Sequence, residues 1–167
     1  MIGMGTIVVM GVSGCGKSTV AASAARTLGR PFLEGDDLHP PANRARMAAG
    51  SPLTDDDRWP WLHLIRAWMV EHPGGVVACS ALRRGYRDLL RTAGDVRFVH
   101  ISVPADVLRQ RLTDRTGHWM PASLLDSQLA TLEPLTPDEG VILDGQLPLE
   151  ELLRQLTQLT THRPTVA

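Results

Sequence analysis

Short apolar runs alternate with longer stretches of helical periodicity along this chain. Thr6 to Met10 is a compact β-branched run, followed by a glycine-rich turn and an alanine-rich helical stretch to about Leu28. Pro31 to Glu34 reads as a second short strand. Pro41 to Ala49 reads as a helix with proline in its first turn. Thr54 and Asp55 to Asp57 supply an N-cap and an acidic first turn for a helix to about Glu71. Its Trp61, Leu64, Ile65, Trp68 and Met69 recur at helical spacing, which predicts a packed face. Val76 to Cys79 is a third strand, Arg84 to Thr92 a helix, and Val96 to Val103 a fourth strand. Pro104 to Arg115 and Pro121 to Leu132 are helical, Val141 to Leu143 is the fifth strand, and Leu149 to Leu159 the last helix. Strands that alternate with helices predict a parallel sheet covered on both faces. Ligands of such sheets sit at the carboxyl ends of the strands.

Composition narrows this picture. The 167 residues are 43% hydrophobic, enough for one domain with a real core. A net charge of -1 argues against broad nucleic-acid binding. No apolar run reaches membrane-spanning length, and Met1 to Gly5 carries no signal-peptide pattern. Cys15 and Cys79 alone do not make a disulfide scaffold, so a reducing, cytoplasmic setting is expected. Sixteen arginines stand against one lysine, Lys17.

That lysine falls in "GVSGCGKS", which fits G-x-x-x-x-G-K-[ST] through Gly11, Gly16, Lys17 and Ser18. A strand precedes the match and a helix follows it, as a phosphate cradle requires. Glycines let backbone N–H groups curl around phosphate oxygens, and the helix adds its positive end. Gly11, Ser13, Gly14, Cys15, Gly16, Lys17, Ser18 and Thr19 are therefore the candidate nucleotide-binding residues. Lys17 reaches the β and γ phosphates, and the Ser18 hydroxyl is placed for Mg²⁺. A GTPase N-K-x-D motif is impossible in a chain with one lysine. No apolar strand ends in a well-placed Walker B aspartate, which disfavours motor ATPases. A small kinase remains.

Three segments suit its acceptor. "FLEGDDLHPPANRARM" puts Glu34, Asp36, Asp37 and His39 just past the second strand. An aspartate there accepts a hydroxyl proton or orients Mg²⁺, although turn and capping roles also explain such residues. "CSALRRGYRDLLR" gathers Arg83, Arg84, Arg87 and Arg91 after the third strand, with Arg83 and Arg87 on one face if the helix starts early. Guanidinium forks there suit an anionic acceptor; a solvated basic helix is the alternative. "RQRLTDRTGHWM" holds Arg109, Arg111 and Arg115, suited to folding over a γ-phosphate or to complementing a helix dipole.

These blocks, with "GSPLTDDDRWPWL" and "SQLATLE", occur in the order and approximate spacing of the bacterial-type gluconokinases, which the chain resembles from about Thr6 to Leu156. The pair "GD-x-LHP-x-x-N" and "PL-x-DDDR-x-PWL" is the most specific part. The resemblance implies a three-layer α/β/α P-loop kinase fold like that of adenylate and shikimate kinases. It implies a five-stranded parallel sheet and a helical lid at about 111–127. It also implies ATP-dependent, Mg²⁺-assisted phosphorylation of D-gluconate at its 6-hydroxyl, feeding the pentose phosphate pathway, and a homodimer. By position it implies Asp36 as candidate base. His39, Asn43, Arg58, Arg83, Arg87, His118 and Gln128 would line the gluconate pocket. Arg111 and Arg115 would be lid or lid-base arginines on the phosphates, and Asp144 to Pro148 would lie near the adenine. A same-fold kinase for shikimate or a nucleoside monophosphate, and a nucleotide-binding regulatory module, are the competing readings. Cys15, Trp119 and Arg83 replace residues common in the family, serine, phenylalanine and lysine. Cys15, beside Lys17, predicts oxidant-sensitive activity that ATP protects.

Overall fold

The computed structural model describes residues 5–114 and 123–161. Five strands, β1 (Thr6–Met10), β2 (Phe32–Glu34), β3 (Val76–Ala78), β4 (Val96–Ser102) and β5 (Gly140–Asp144), form one parallel sheet in the order β2-β3-β1-β4-β5. Seven helices connect them among the described residues: α1 (Lys17–Leu28), α2 (Pro41–Ala48), α3 (Asp55–Glu71), α4 (Arg84–Arg91), α5 (Ala105–Asp114), α6 (Ser123–Thr131) and α7 (Leu149–Thr161). The pattern reading located every strand and α-helix, with ends shifted by one or two residues. It did not find a 3-10 turn at Gly35–Leu38.

Alternation within β1 decides the layers. Ile7 and Val9 face a cluster with Ala21 and Ala24 of α1, Leu108 of α5 and Leu156 of α7. Val8 and Met10 face a cluster with Trp61, Ile65 and Met69 of α3 and Tyr86 and Leu90 of α4. Both faces of β1 are buried, so its sequence reads as continuous apolar residues rather than alternation. The aromatic stripe of α3 is partly corrected. Trp61, Ile65 and Met69 are buried, but Leu64 is 48% exposed and Leu62 is the fully buried neighbour.

Neighbouring strands β1 and β4 send their connections to opposite sides, β1 toward β2 and β4 toward β5. This opens a crevice at the carboxyl end of β1, where ligands of open α/β sheets bind. The start of α3 is set locally by a capping box. Thr54 Oγ1 accepts from the Asp57 N–H at 3.2 Å, and the Thr54 N–H donates to Asp57 Oδ2 at 2.9 Å.

Candidate active site

The loop after β1 is an anion cradle by construction. Gly14 and Gly16 have φ of 85° and 92°, a region that favours glycine. Gly16 caps α1 with no side chain on the helix's first N–H groups, which leaves them for an anion. Lys17 is buried beside them. Burial lowers an ammonium pKa, but the neighbouring Cys15, Asp36, Glu34 and Cys79 outweigh it and raise Lys17 above its ordinary value. The side chain is therefore charged at neutral pH and suited to neutralising phosphate. Ser18 is half-buried in the first turn of α1 and Thr19 is exposed. Among the described residues no three His, Cys, Asp or Glu side chains form a metal cage. The Ser18 hydroxyl in the first turn of α1 is the side chain that would hold a Mg²⁺ bound together with a nucleotide.

The acceptor side comes from five places in the chain. An open cleft is lined by Ser13 and Lys17 of the loop, Asp36 and His39, Met47 of α2, Arg58 and Trp61 of α3, Ser80 and Leu82 after β3, and Leu124, Ser127 and Gln128 of α6. Asp36 stands on the 3-10 turn because Gly35 passes so close to β3 that a Cβ there would collide with the Ala78 carbonyl oxygen. Trp61 Nε1 donates to the Gly35 carbonyl at 2.8 Å and fixes that turn against α3. Glu34 Oε1 accepts weakly from the Asp36 N–H at 3.4 Å. His39 stacks on Trp61 with ring centroids 4.0 Å apart, and its Nε2 lies 3.9 Å from Asp36 Oδ1. Asn43 contacts the His39 ring at 3.3 Å. Arg58 is buried and donates to the Tyr86 hydroxyl at 3.0 Å, which in turn donates to Asp55. Gln128 Oε1 accepts from the Ser13 N–H at 2.7 Å, so α6 is tied to the phosphate loop.

Three expectations change, those for Arg87, Arg83 and Cys15. Arg87 does not reach the cleft; it is fully buried and pairs with Glu139 at 2.5 Å. Its Nη1 donates to the carbonyls of Ala81 and Leu82 at 3.0 and 3.2 Å. Ala81 has a φ of 45°, strained for a side chain, and Arg87 holds it between the cleft residues Ser80 and Leu82. Arg83 is the N-cap of α4 rather than a partner of Arg87 on one face, and its Nε lies 3.9 Å from Asp55 at the surface. Arg111, in the last turn of α5, reaches the phosphate loop, donating to the Gly14 and Cys15 carbonyls at 3.1 and 3.5 Å and to Gly145 at 3.4 Å. Cys15 is 2% exposed, closed to oxidants rather than presented to them. Cys79 is also closed, and burial pushes its thiol up to about 12. Arg115, His118 and Trp119, and the middle of the expected lid, lie outside the described residues.

The sequence reading missed Trp61 as a site residue, because an apolar stripe at helical spacing signals packing and gives no sign of what the ring covers. It also missed Glu139, whose role appears only when Arg87 turns inward.

The cleft joins a phosphate cradle to a carboxylate, a buried guanidinium and amide groups. The family described as AAA domain matches residues 7–135. A gluconokinase of Gluconobacter oxydans is 53% identical over 160 residues, covering 89% of each chain. The chain belongs to the gluconokinase family. A solved gluconokinase from Sinorhizobium meliloti superposes with a TM-score of 0.86 at 48% identity, over 95% of this chain and 94% of that one. A shikimate kinase from Acinetobacter baumannii shares the fold at a TM-score of 0.64 and 18% identity, over 93% and 92% of the two chains. As a gluconokinase-family member the protein is an enzyme, a P-loop kinase with a nucleotide-binding loop. Among the described residues no helix is long and apolar enough to cross a membrane.

Proposed function

We propose that this protein transfers the γ-phosphoryl group of ATP to the 6-hydroxyl of D-gluconate, giving 6-phospho-D-gluconate and ADP. The reading includes Mg²⁺, a cytoplasmic setting, a homodimer of single kinase domains and a place in gluconate catabolism feeding the pentose phosphate pathway. The observation that carries it is the cleft running from Lys17 to Asp36, His39, Arg58 and Gln128 in a chain 53% identical to a gluconokinase. The bound nucleotide supplies the transferable phosphoryl group and its Mg²⁺. Gly11 to Thr19 hold the phosphates, Lys17 offsets charge on the transferring group, and Ser18 orients the ion. Asp36 takes the proton of the attacking hydroxyl. Arg58 offers a buried guanidinium for the gluconate carboxylate, a pairing that fork geometry favours. His39 and Gln128 line the same cleft, Asn43 backs His39 from behind, and Arg115 and His118 keep the lid roles that the family resemblance implies. Arg87 serves the pocket from beneath, through Ala81.

A coupled ADP-release assay across gluconate, shikimate and nucleoside monophosphates tests this reading. Gluconate turnover with the others near background supports it. Preferential turnover of shikimate or a nucleotide transfers the assignment to that acceptor. Absence of acceptor-dependent turnover on all of them replaces the kinase reading with a nucleotide-binding regulatory role.

A further inference from the structure

Asn43 is bracketed by two acceptors. Its Nδ2 lies 3.0 Å from the Asp57 carbonyl and 3.3 Å from His39 Nδ1. A backbone carbonyl only accepts, so the Asn43 atom facing it is the amide nitrogen. That nitrogen carries two hydrogens. One goes to Asp57, and the other points at His39 Nδ1, which must then present a lone pair. The ring proton is left on Nε2. The Asp57 carbonyl is itself fixed, because Asp57 closes the capping box of α3.

The ring cannot turn away from this arrangement at low cost. His39 and Asn43 are 7% and 5% exposed, and the His39 ring stacks on Trp61 with an interplanar angle of 14°. Nε2 faces Asp36 Oδ1 at 3.9 Å, too far for a direct hydrogen bond. One oxygen in the cleft can touch both groups.

We infer that Asn43 holds His39 as the neutral Nε2–H tautomer, and that this N–H donates to an oxygen of the phosphoryl acceptor beside Asp36. The second half rests on the gluconate reading above. Neutrality matters as much as orientation. An imidazolium at this distance would stabilise the Asp36 carboxylate and weaken it as a proton acceptor. Asp36 of the 3-10 turn draws a proton toward His39. Burial, Arg44 of α2 and Arg58 of α3 oppose it, and burial dominates, lowering His39 to about 4. Asn43 is thus a positioning residue that acts through His39. An acceptor without an oxygen at this point leaves a buried donor unpaired, which is how such sites reject analogues.

The test begins without substrate. Long-range ¹H–¹⁵N spectra of the full chain, labelled at its six histidines, report each ring's protonation state. His39 is assigned by the signal lost in His39→Gln. At pH 7 His39 is expected to be neutral with the proton on Nε2, and Asn43→Asp to convert it to the imidazolium. An Nδ1–H or charged ring in the wild type, or an unchanged ring in Asn43→Asp, overturns the lock. Gluconate kinetics then test the donor. His39→Gln places an amide N–H near the Nε2 position and should keep KM for gluconate within a few-fold. His39→Phe keeps the stack but loses the donor, and should raise that KM about tenfold at unchanged KM for ATP. Equal KM values for the two variants overturn the donor role. An Nε2–H spectrum without wild-type gluconate turnover supports the lock and sinks the gluconate reading.

Discussion

The two halves of the cleft are built on opposite plans. The donor half is nine consecutive residues, Gly11 to Thr19, at one strand–helix junction. Its chemistry is backbone geometry plus one ammonium. The acceptor half draws Asp36 from a 3-10 turn, Met47 from α2, Arg58 and Trp61 from α3, Ser80 from the end of β3 and Gln128 from α6. Each group there depends on packing between elements far apart in sequence. A contiguous loop is shaped by its own backbone, whereas an assembled wall inherits the stability of everything behind it.

Substitutions on the two sides should separate these plans. The largest effect is expected at Lys17. Lys17→Ala should lower kcat by roughly a thousandfold or more, measured by ADP release with circular dichroism unchanged, because positioned charge carries most of phosphoryl-transfer catalysis. Lys17→Arg should rescue little, since a planar guanidinium does not reproduce a compact point contact. Asp36→Asn should lower kcat by about 10²–10⁴-fold with KM for ATP nearly unchanged, as loss of a general base does. Near-wild-type turnover would remove Asp36 as the base.

Arg87 tests the acceptor wall from behind. Arg87→Met removes the buried partner of Glu139, leaving it Thr136 and the half-exposed Arg84, and thermal or urea denaturation should show a loss of up to about 3–5 kcal/mol. Arg87→Met with Glu139→Leu should recover most of that loss, because an apolar pair has no charge to bury. The same pair sets an acid limit. Burial pushes the Glu139 carboxyl up, but hydrogen bonds from Arg87 and Thr136 outweigh it, and its pKa stands below the ordinary 4.5. Its contribution is therefore complete above that value and is lost as pH falls through the lower folded-state pKa. Wild type should lose stability in that window faster than the double variant. The smallest effect is expected at Arg111. Arg111→Ala removes bonds to loop carbonyls and should raise KM for ATP roughly two- to tenfold while sparing KM for gluconate.

Arg58 and Arg87 show what could be read in advance. Both stand near chemistry-rich blocks, and both are buried. Arg58 lines the cleft, while Arg87 turns under it to Glu139. Nothing local distinguishes them, because a guanidinium reports its partner only when the partner arrives, and Glu139 is 52 residues away. Leu64 and Leu62 teach the same lesson for packing. Periodicity counts turns, but the neighbouring α4 and β3 choose which side of α3 is covered.

By itself the sequence determined the parallel α/β order, the phosphate loop with its lysine, the capped start of α3 and the family. These depend on residues adjacent along the chain, where backbone geometry and hydrogen-bonding reach act at short range. Only the tertiary structure decided that Gly35 packs against Ala78 of β3 and carries Asp36 into the cleft, that Arg87 turns under Ala81 to Glu139, and that Asn43 Nδ2 meets His39 Nδ1. Each of those depends on a distance of a few ångströms between elements, and such distances exist only once the layers have packed.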